Sequence, residues 1–332
     1  MRPKVSVIMP VLNGERFIDE ALASIVRQQY ANLELVVVDD GSTDTTAAHV
    51  DRFRPQLDIR YVRHESCRGV ARSVNDGIRA ATGDLISFLD HDDAWLPRFL
   101  ETQVAHLEAH PDVGMVHCDF QTMDVNGEII EASVAAARAR RRPSGYVFPL
   151  LFQDSFIVGN SVLIRRECFE RLGGFDENVR WGDYHMWLKI ARHYKIDYVD
   201  AVLTQYRQHG TQSTRGAASE DPNAIPVGVD VITSILELYP AARRELGQRA
   251  IDRRMAVFYF DRGYRLFNLG NTPVARTPLA RALRLWPTNP RYLSLYAATY
   301  LGASGGRVAR DMWRRVRGTR AAAGGGIRGV TQ

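Results

Sequence analysis

Short apolar runs rich in β-branched residues alternate with segments of helical period along the first two thirds of the chain, and polar turn residues separate them. Val5–Met9 and Leu35–Val38 are continuous apolar runs, the pattern of strands buried on both faces of a parallel sheet. Between them Phe17, Ile18, Ala21, Leu22, Ile25 and Val26 recur at helical spacing, which predicts a βαβ unit. The alternation continues with strands at Ile59–Val62 and Leu85–Leu89, helices at Val70–Ala80 and Phe99–His110, and a strand at Val113–His117. Strand character returns at Gly159–Arg165, Gly173-Gly174 closes a helix with a tight turn, and Asp183–His193 is amphipathic and helical. The predicted class is α/β, a mostly parallel sheet flanked by helices.

Past His209 the pattern changes. Residues 1–215 read as one domain, and residues 216–230, polar with Pro and Gly, read as a linker. Residues 231–302 read as a helical region, with elements at Val231–Leu238, Glu245–Leu269, Val274–Leu285 and Tyr292–Leu301. Within it Gly263, Gly270, Ala275, Ala282 and Pro287 resemble one tetratricopeptide-like hairpin, which alone makes no solenoid and is expected to pack against the first domain. Residues 303–332 form a basic tail: Arg307, Arg310, Arg314, Arg315, Arg317, Arg320 and Arg328 face only Asp311, with Met312, Trp313 and Val316 interleaved. That pattern predicts peripheral contact with an anionic membrane surface; a solvated, partly disordered end is the competing reading, given Gly324-Gly325-Gly326. The Ala/Arg-rich segment Glu131–Arg142 has no clear apolar face and reads as a mobile surface insertion.

Composition narrows the class further. The 332 residues are 45% hydrophobic, enough for one large α/β domain with an appendage. No apolar run approaches the ~18 residues of a membrane span, and Pro10 and Asn13 break the N-terminal run, so no signal peptide is expected. Cys67, Cys118 and Cys168 are scattered, which argues against a disulfide framework or zinc cluster and for a reducing cytoplasm. The net charge of +5 is modest and nothing resembles a groove-reading helix, so nucleic acid is not an expected partner.

The chemistry concentrates where strands end. Leu85–Leu89 runs into Asp90, Asp92 and Asp93, whose mutual repulsion and desolvation are most simply offset by a divalent cation. Carboxylate oxygens favour Mn or Mg, which usually sit on phosphates as well as protein, so a phosphorylated ligand is implied. One carboxylate would suffice to cap the helix expected near Pro97; three exceed that need. A second acidic pair, Asp39 and Asp40, follows Leu35–Val38 and leads into Gly41-Ser42-Thr43-Asp44. Ligands of open α/β sheets bind beyond the carboxyl ends of strands, so both clusters are placed at one site, and a carboxylate there suits a nucleoside's base or ribose.

These residues carry a resemblance. Val-Ser-Val-Ile-Met-Pro-Val-Leu-Asn, Asp-Asp-Gly-Ser-Thr-Asp, Asn75-Asp76-Gly77-Ile78 with Ala81-Thr82-Gly83-Asp84, Leu89-Asp90-His91-Asp92-Asp93, Gly173-Gly174-Phe175-Asp176-Glu177, Trp181-Gly182-Asp183-Tyr184 and Tyr206-Arg207-Gln208-His209 follow in the order of family 2 glycosyltransferases. Over about the first 215 residues the chain resembles that family, whose fold is GT-A, a Rossmann-like α/β arrangement. The resemblance implies an inverting enzyme that takes a sugar from a nucleoside diphosphate donor, commonly a UDP-sugar, to a hydroxyl of a glycan or lipid-linked acceptor at the inner face of the cytoplasmic membrane. It implies Asp183 as the general base, and Asp92, Asp90 and His209 as the metal-side residues, with Asp93 behind them. Pro10, Leu12, Asp39, Asp40, Asp90 and Arg207 become the nucleotide-binding set, Asp40 on the base and Arg207 on the diphosphate. Gly159, Asn160, Trp181 and Gly182 fall on the acceptor side.

One departure matters. The family usually has Glu-Asp where this chain has Gly182-Asp183, which puts acceptor positioning in doubt, although Asp176 and Glu177 lie nearby in sequence. Gly182 therefore motivates a rival reading, a noncatalytic sugar-nucleotide-binding or scaffold protein. A phosphorylation receiver would also use an acidic pair such as Asp39-Asp40, but no lysine follows the late strand Val113–His117.

Overall fold

In the computed structural model, which describes residues 2–137, 142–210, 212 and 224–301, the first apolar run forms β1 (Val5–Val11), buried along its whole length. There follow α1 (Ile18–Val26), β2 (Leu33–Asp39), α2 (Thr46–Asp51), β3 (Ile59–Arg63), α3 (Val70–Ala80), β4 (Leu85–Phe88), β5 (Ala94–Trp95) and α4 (Phe99–Ala109). The second half of the sheet is built from β6 (Val113–Met123), β7 (Ile129–Glu131), β8 (Val162–Arg165) and β9 (Lys195–Arg207), with helices α5 (Val134–Ala137), α6 (Phe148–Gln153), α7 (Arg166–Leu172) and α8 (Gly182–His193) between them.

The strand order is β3-β2-β1-β4-β8-β6-β9-β5, with β7 on β6. β3, β2, β1 and β4 run parallel, in register from Val5↔Leu33 to Val11↔Asp39 between β1 and β2, so both acidic segments leave the sheet at its carboxyl edge. Past β4 the sheet is mixed. β8 enters antiparallel between β4 and β6, whereas β6 and β9 pair in parallel from Val113↔Lys195 to Met123↔Arg207. The core beneath the parallel half is the set the apolar periodicity marked, including Val7, Met9, Leu22, Ile25, Leu35 and Val37.

Several elements differ from expectation, three of them in the stretch from β6 to β8. Gly159–Ser161 is a turn of 3-10 helix and the strand begins at Val162. β6 continues six residues past His117, to Met123. The insertion begins anchored: Asp119 accepts hydrogen bonds from Ser133 Oγ and Ala135 N, and Val134 is buried, so the carboxylate caps α5; residues 138–141 lie outside the described residues.

By contact the chain divides into two compact units, the first comprising residues 1–148, 156–178 and 182–209, the second residues 149–155, 179–181 and those from 210 onward. The described helices of the second unit are α9 (Val229–Leu238), α10 (Ala241–Leu246), α11 (Gln248–Asn268), α12 (Thr272–Leu285) and α13 (Pro290–Ala298). α11 and α12 approach closely because Gly263 has no side chain; a Cβ there would meet Leu279 Cγ at 2.5 Å. Phe260 stacks on Tyr292 at 4.4 Å, joining α13 to the hairpin. The basic tail and residues 216–223 of the expected linker lie outside the described residues.

Candidate active site

The loops after β1 and β2 are tied to each other by side chains of the Asn-Gly and Gly-Ser-Thr-Asp segments. Asn13 N donates to Ser42 Oγ at 2.9 Å, Thr43 N to Asn13 Oδ1 at 2.9 Å and Gly14 N to Thr46 Oγ1 at 2.8 Å. Asn13 takes a left-handed conformation (φ 53°), which Asn tolerates better than most residues. Leu12 stands at this rim, 40% exposed, while Pro10 is buried and its backbone holds the His91 ring.

Asp39 and Asp40 reach the carboxyl end of β2 as expected, and both are deeply engaged with the chain. Asp39 accepts from Ser42 N at 2.7 Å and from Tyr61 Oη at 2.5 Å. Asp40 accepts from His64 Nδ1 and from Arg68 N and Gly69 N, each within 2.8 Å. Burial disfavours their charged forms, but these donors outweigh it and hold both carboxyls below the ordinary range. His64 Nε2 continues to Asp76 at 3.0 Å, so the Asn-Asp-Gly segment of α3 braces the loop that cradles Asp40. His64 and Tyr61 were missed from the sequence, because a histidine in a loop and a tyrosine in a strand carry no local signal, and Asp76 was visible only as part of the Asn-Asp-Gly-Ile motif, without a role.

Asp90, Asp92 and Asp93 converge: one oxygen of each lies within 4.8 Å of the others. Each has a different surrounding. Asp93 is buried, accepting from Arg207 N at 2.9 Å and Asn160 Nδ2 at 2.7 Å. Asp92 accepts from His209 Nε2 at 2.8 Å. The Asp90 backbone carbonyl accepts from Asp93 N at 3.1 Å, while its side-chain carboxyl has no hydrogen-bond partner among the described residues. Solvent reaches the Asp90 carboxyl, yet protein surrounds it in the cleft, and that desolvation with the charges of Asp92 and Asp183 pushes it up to about 7. Desolvation and the charges of Asp92 and Asp90 raise Asp93 well above the carboxylate range.

The end of β9 supplies the opposing side of this cluster. Arg207, expected on a diphosphate, is 2% exposed; its guanidinium donates to the backbone carbonyls of Asp92 and Asp124 at 2.8 and 3.2 Å and pairs with Glu20. Its charge is thus used within the protein, fixing the Asp92 backbone. Phe17 packs under both Arg207 and His209, at 4.9 and 5.0 Å. Phe17 was visible in sequence only as part of the α1 pattern, and Glu20 carried no signal there.

Asp183 opens α8, Oδ1 accepting from Tyr184 N at 2.7 Å, and desolvation, partly offset by that hydrogen bond, raises it to about 6. The segment before it is clamped by Asn75, whose side chain donates to Phe175 O at 2.9 Å and accepts from Phe175 N at 2.8 Å. Gly174 allows this, since a Cβ would fall inside the van der Waals shell of Asn75 Oδ1. Gly174→Ala is expected to destabilise the protein by about 1–3 kcal/mol in denaturant titration, the usual cost of overpacking.

The expected acceptor-side residues divide. Asn160 is buried, bonding Asp93 and the Gln205 carbonyl, and its own carbonyl accepts from Trp95 Nε1 at 2.9 Å; Gly159 precedes it in the same turn. Gly182 lies under Phe175, a Cβ meeting Phe175 Cδ1 at 3.3 Å, and Trp181 belongs to the second unit, edge-on to Phe258 at 6.2 Å. Glu177 does not stand in for a carboxylate at 182, because Arg72 and Asn75 hold it at 3.2 and 3.1 Å.

A family model described as glycosyl transferase family 2 matches residues 6–173. An uncharacterized glycosyltransferase of Rickettsia prowazekii is 32% identical over 222 residues, 66% of this chain and 68% of its own length. The UDP-Glc:alpha-D-GlcNAc-diphosphoundecaprenol beta-1,3-glucosyltransferase of Escherichia coli is 28% identical over 205 residues, 61% of this chain and 76% of its own. Among solved structures, a mannosyltransferase of Pyrobaculum calidifontis in complex with GDP-Man and Mn2+ is similar with a TM-score of 0.61 at 26% identity, covering 97% of this chain and 86% of that one.

Proposed function

The chain belongs to glycosyltransferase family 2, and from that premise we propose an inverting, metal-dependent transfer of a sugar from a nucleoside diphosphate to a hydroxyl of a glycan or lipid-linked acceptor. The observation that carries the proposal is the juxtaposition of Asp90, Asp92 and Asp93 with Asp183, close enough that the Asp183 charge raises Asp90.

The residues fit a divalent cation. Among the described residues the Asp90 carboxyl lacks a hydrogen-bond partner and the Asp92 carboxylate has only His209, and the donor set is mainly hard oxygen, which selects Mn or Mg. Asp92 and Asp90 would hold the ion, with His209 beside them. When bound, the cation neutralises charge developing on the departing diphosphate. Asp93 pins Arg207 N and Asn160, keeping the end of β9 against the cluster. Asp183 takes the proton of the attacking hydroxyl at a carboxyl oxygen, and attack from the face opposite the diphosphate inverts the anomeric centre. In this reading the β1 and β2 edge, with Pro10, Leu12, Asp39 and Asp40, receives the nucleoside, and the acceptor enters from the Gly182 side.

Nucleotide choice is left open by the relatives, since one is named for UDP-Glc and another was solved with GDP-Man. The E. coli relative's diphosphoundecaprenol substrate supports a lipid-linked acceptor in surface polysaccharide synthesis at the cytoplasmic face of the membrane. Among the described residues no helix is long and apolar enough to cross a membrane. The test is a panel of sugar nucleotides screened for Mn-dependent thermal stabilisation, because a ligand of the folded state raises apparent stability by mass action. If no sugar nucleotide shifts the melting temperature with Mn, the reading fails.

The same cluster predicts a pH dependence. Asp90, at about 7, must release its proton before it can ligate, so Mn affinity should fall by up to about tenfold per pH unit below 7 and level off above it. Calorimetric titration of Mn across that range measures it, and a pH-independent affinity would remove Asp90 from the ligand set.

A further inference from the structure

A second group of metal-ligating side chains lies near the start of β9. His106 and His110 stand four residues apart at the carboxyl end of α4, and Asp197 faces them from the sheet, with one donor atom of each within 4.8 Å of the others. His106 Nε2 is 2.9 Å from Asp197 Oδ2, and the two imidazole rings stack at 4.2 Å with 21° between their planes. We propose that His106, His110 and Asp197 form a site for a borderline transition-metal ion of the Zn2+ or Ni2+ class, separate from the carboxylate cluster.

Outer hydrogen bonds already orient two of the three ligands. His110 Nδ1 lies 2.8 Å from the His106 carbonyl. A carbonyl only accepts, so Nδ1 carries the hydrogen and a neutral His110 presents its Nε2 lone pair, the arrangement seen for ligating histidines. Asp197 Oδ1 accepts from Gly145 N at 3.1 Å, which leaves Oδ2 toward His106. Arg165 donates to the carbonyls of Leu107 and His110 at 2.6 and 3.3 Å, holding the helix end in place.

The donor set decides the metal. Two imidazoles and a carboxylate match zinc sites that keep a fourth position for water, whereas Mg and Mn prefer all-oxygen surroundings. Closure needs the exposed His110 ring to leave its stack so that its Nε2 converges with that of His106. As the ion enters, the hydrogen that His106 Nε2 shares with Asp197 moves by exchange with solvent to Nδ1, which leaves the Nε2 lone pair of the neutral ring for the ion. On β6, the strand paired with β9, the stretch from Asp197 to Arg207 spans Val116 to Met123, roughly 23 Å, so an ion here lies far from the Asp90 cluster. The inference is therefore independent of the proposed transfer reaction; the bound ion would tie the end of α4 to the strand whose far end carries Arg207.

Calorimetric titration of Zn2+ into the full chain carrying Asp92→Asn isolates this site from the carboxylate cluster. The expected result is saturable Zn2+ binding that His110→Ala and, separately, Asp197→Asn each weaken at least about tenfold. His110 is exposed, so its loss leaves the fold intact, and a Zn-dependent rise in melting temperature should disappear with it. Co2+ in place of Zn2+ should give visible absorption bands that are lost in the same variants. No saturable Zn2+ binding, or a Zn2+ affinity that neither substitution changes, would overturn the proposal.

Discussion

Asp92→Asn is expected to weaken Mn-dependent donor binding severely while leaving the fold essentially as stable as before. Asn keeps an oxygen that can accept from His209 Nε2, and removing the charge relieves repulsion that contributes to the raised Asp90 and Asp93. A cation held mainly by Asp90 and Asp92 loses an anionic ligand, and donor affinity in the presence of Mn should fall on the order of 100-fold, beyond what loss of an outer-shell partner usually costs. Two measurements separate site from fold: titration of a sugar nucleotide with and without Mn, and thermal melting without metal. A variant that melts like the wild type but binds donor far more weakly supports the assignment. A variant whose Mn-dependent affinity is unchanged removes Asp92 from the metal site.

The parallel half of the sheet was legible because Val5–Met9 and Leu35–Val38 are buried on both faces and therefore written as unbroken apolar runs. β9 was not legible. Its Lys195, Asp197, Asp200 and Gln205 interrupt any period, it is mostly half-buried, and its register on β6 shifts at several points, so its existence depends on β6 rather than on its own pattern. The acidic motifs showed where the site lies, since carboxylates after apolar strands have few structural uses. Individual roles within them were less readable. Arg207 looks in sequence like a phosphate ligand, and only its burial against Glu20 and the Asp92 and Asp124 carbonyls gives it a positioning part. Asn160 reads as an acceptor contact until Asp93 is found on its amide. Partners distant in sequence, such as Asn75 with Phe175, are set by packing that no local window contains.

Asp183→Asn is expected to lower transfer by about 10² to 10⁴, the range for loss of a general base, with donor affinity close to that of the wild type. The substitution discriminates because Asn serves a helix start about as well as Asp. If Asp183 acted only through its hydrogen bond with Tyr184 N, Asn would preserve both stability and rate. The pH profile gives a second handle. Asp183 stands at about 6, so wild-type kcat/KM should decline as pH falls through that value and the base becomes protonated, and this limb should vanish from the residual activity of the variant. Asp183 also raises Asp90, so neutralising it should lower the Asp90 pKa and move the acid-side loss of Mn affinity to lower pH. Normal turnover by the variant on its acceptor would assign the base elsewhere. An Mn profile that fails to move would show that the two carboxylates do not share one field, and the geometry proposed for transfer would have to be redrawn.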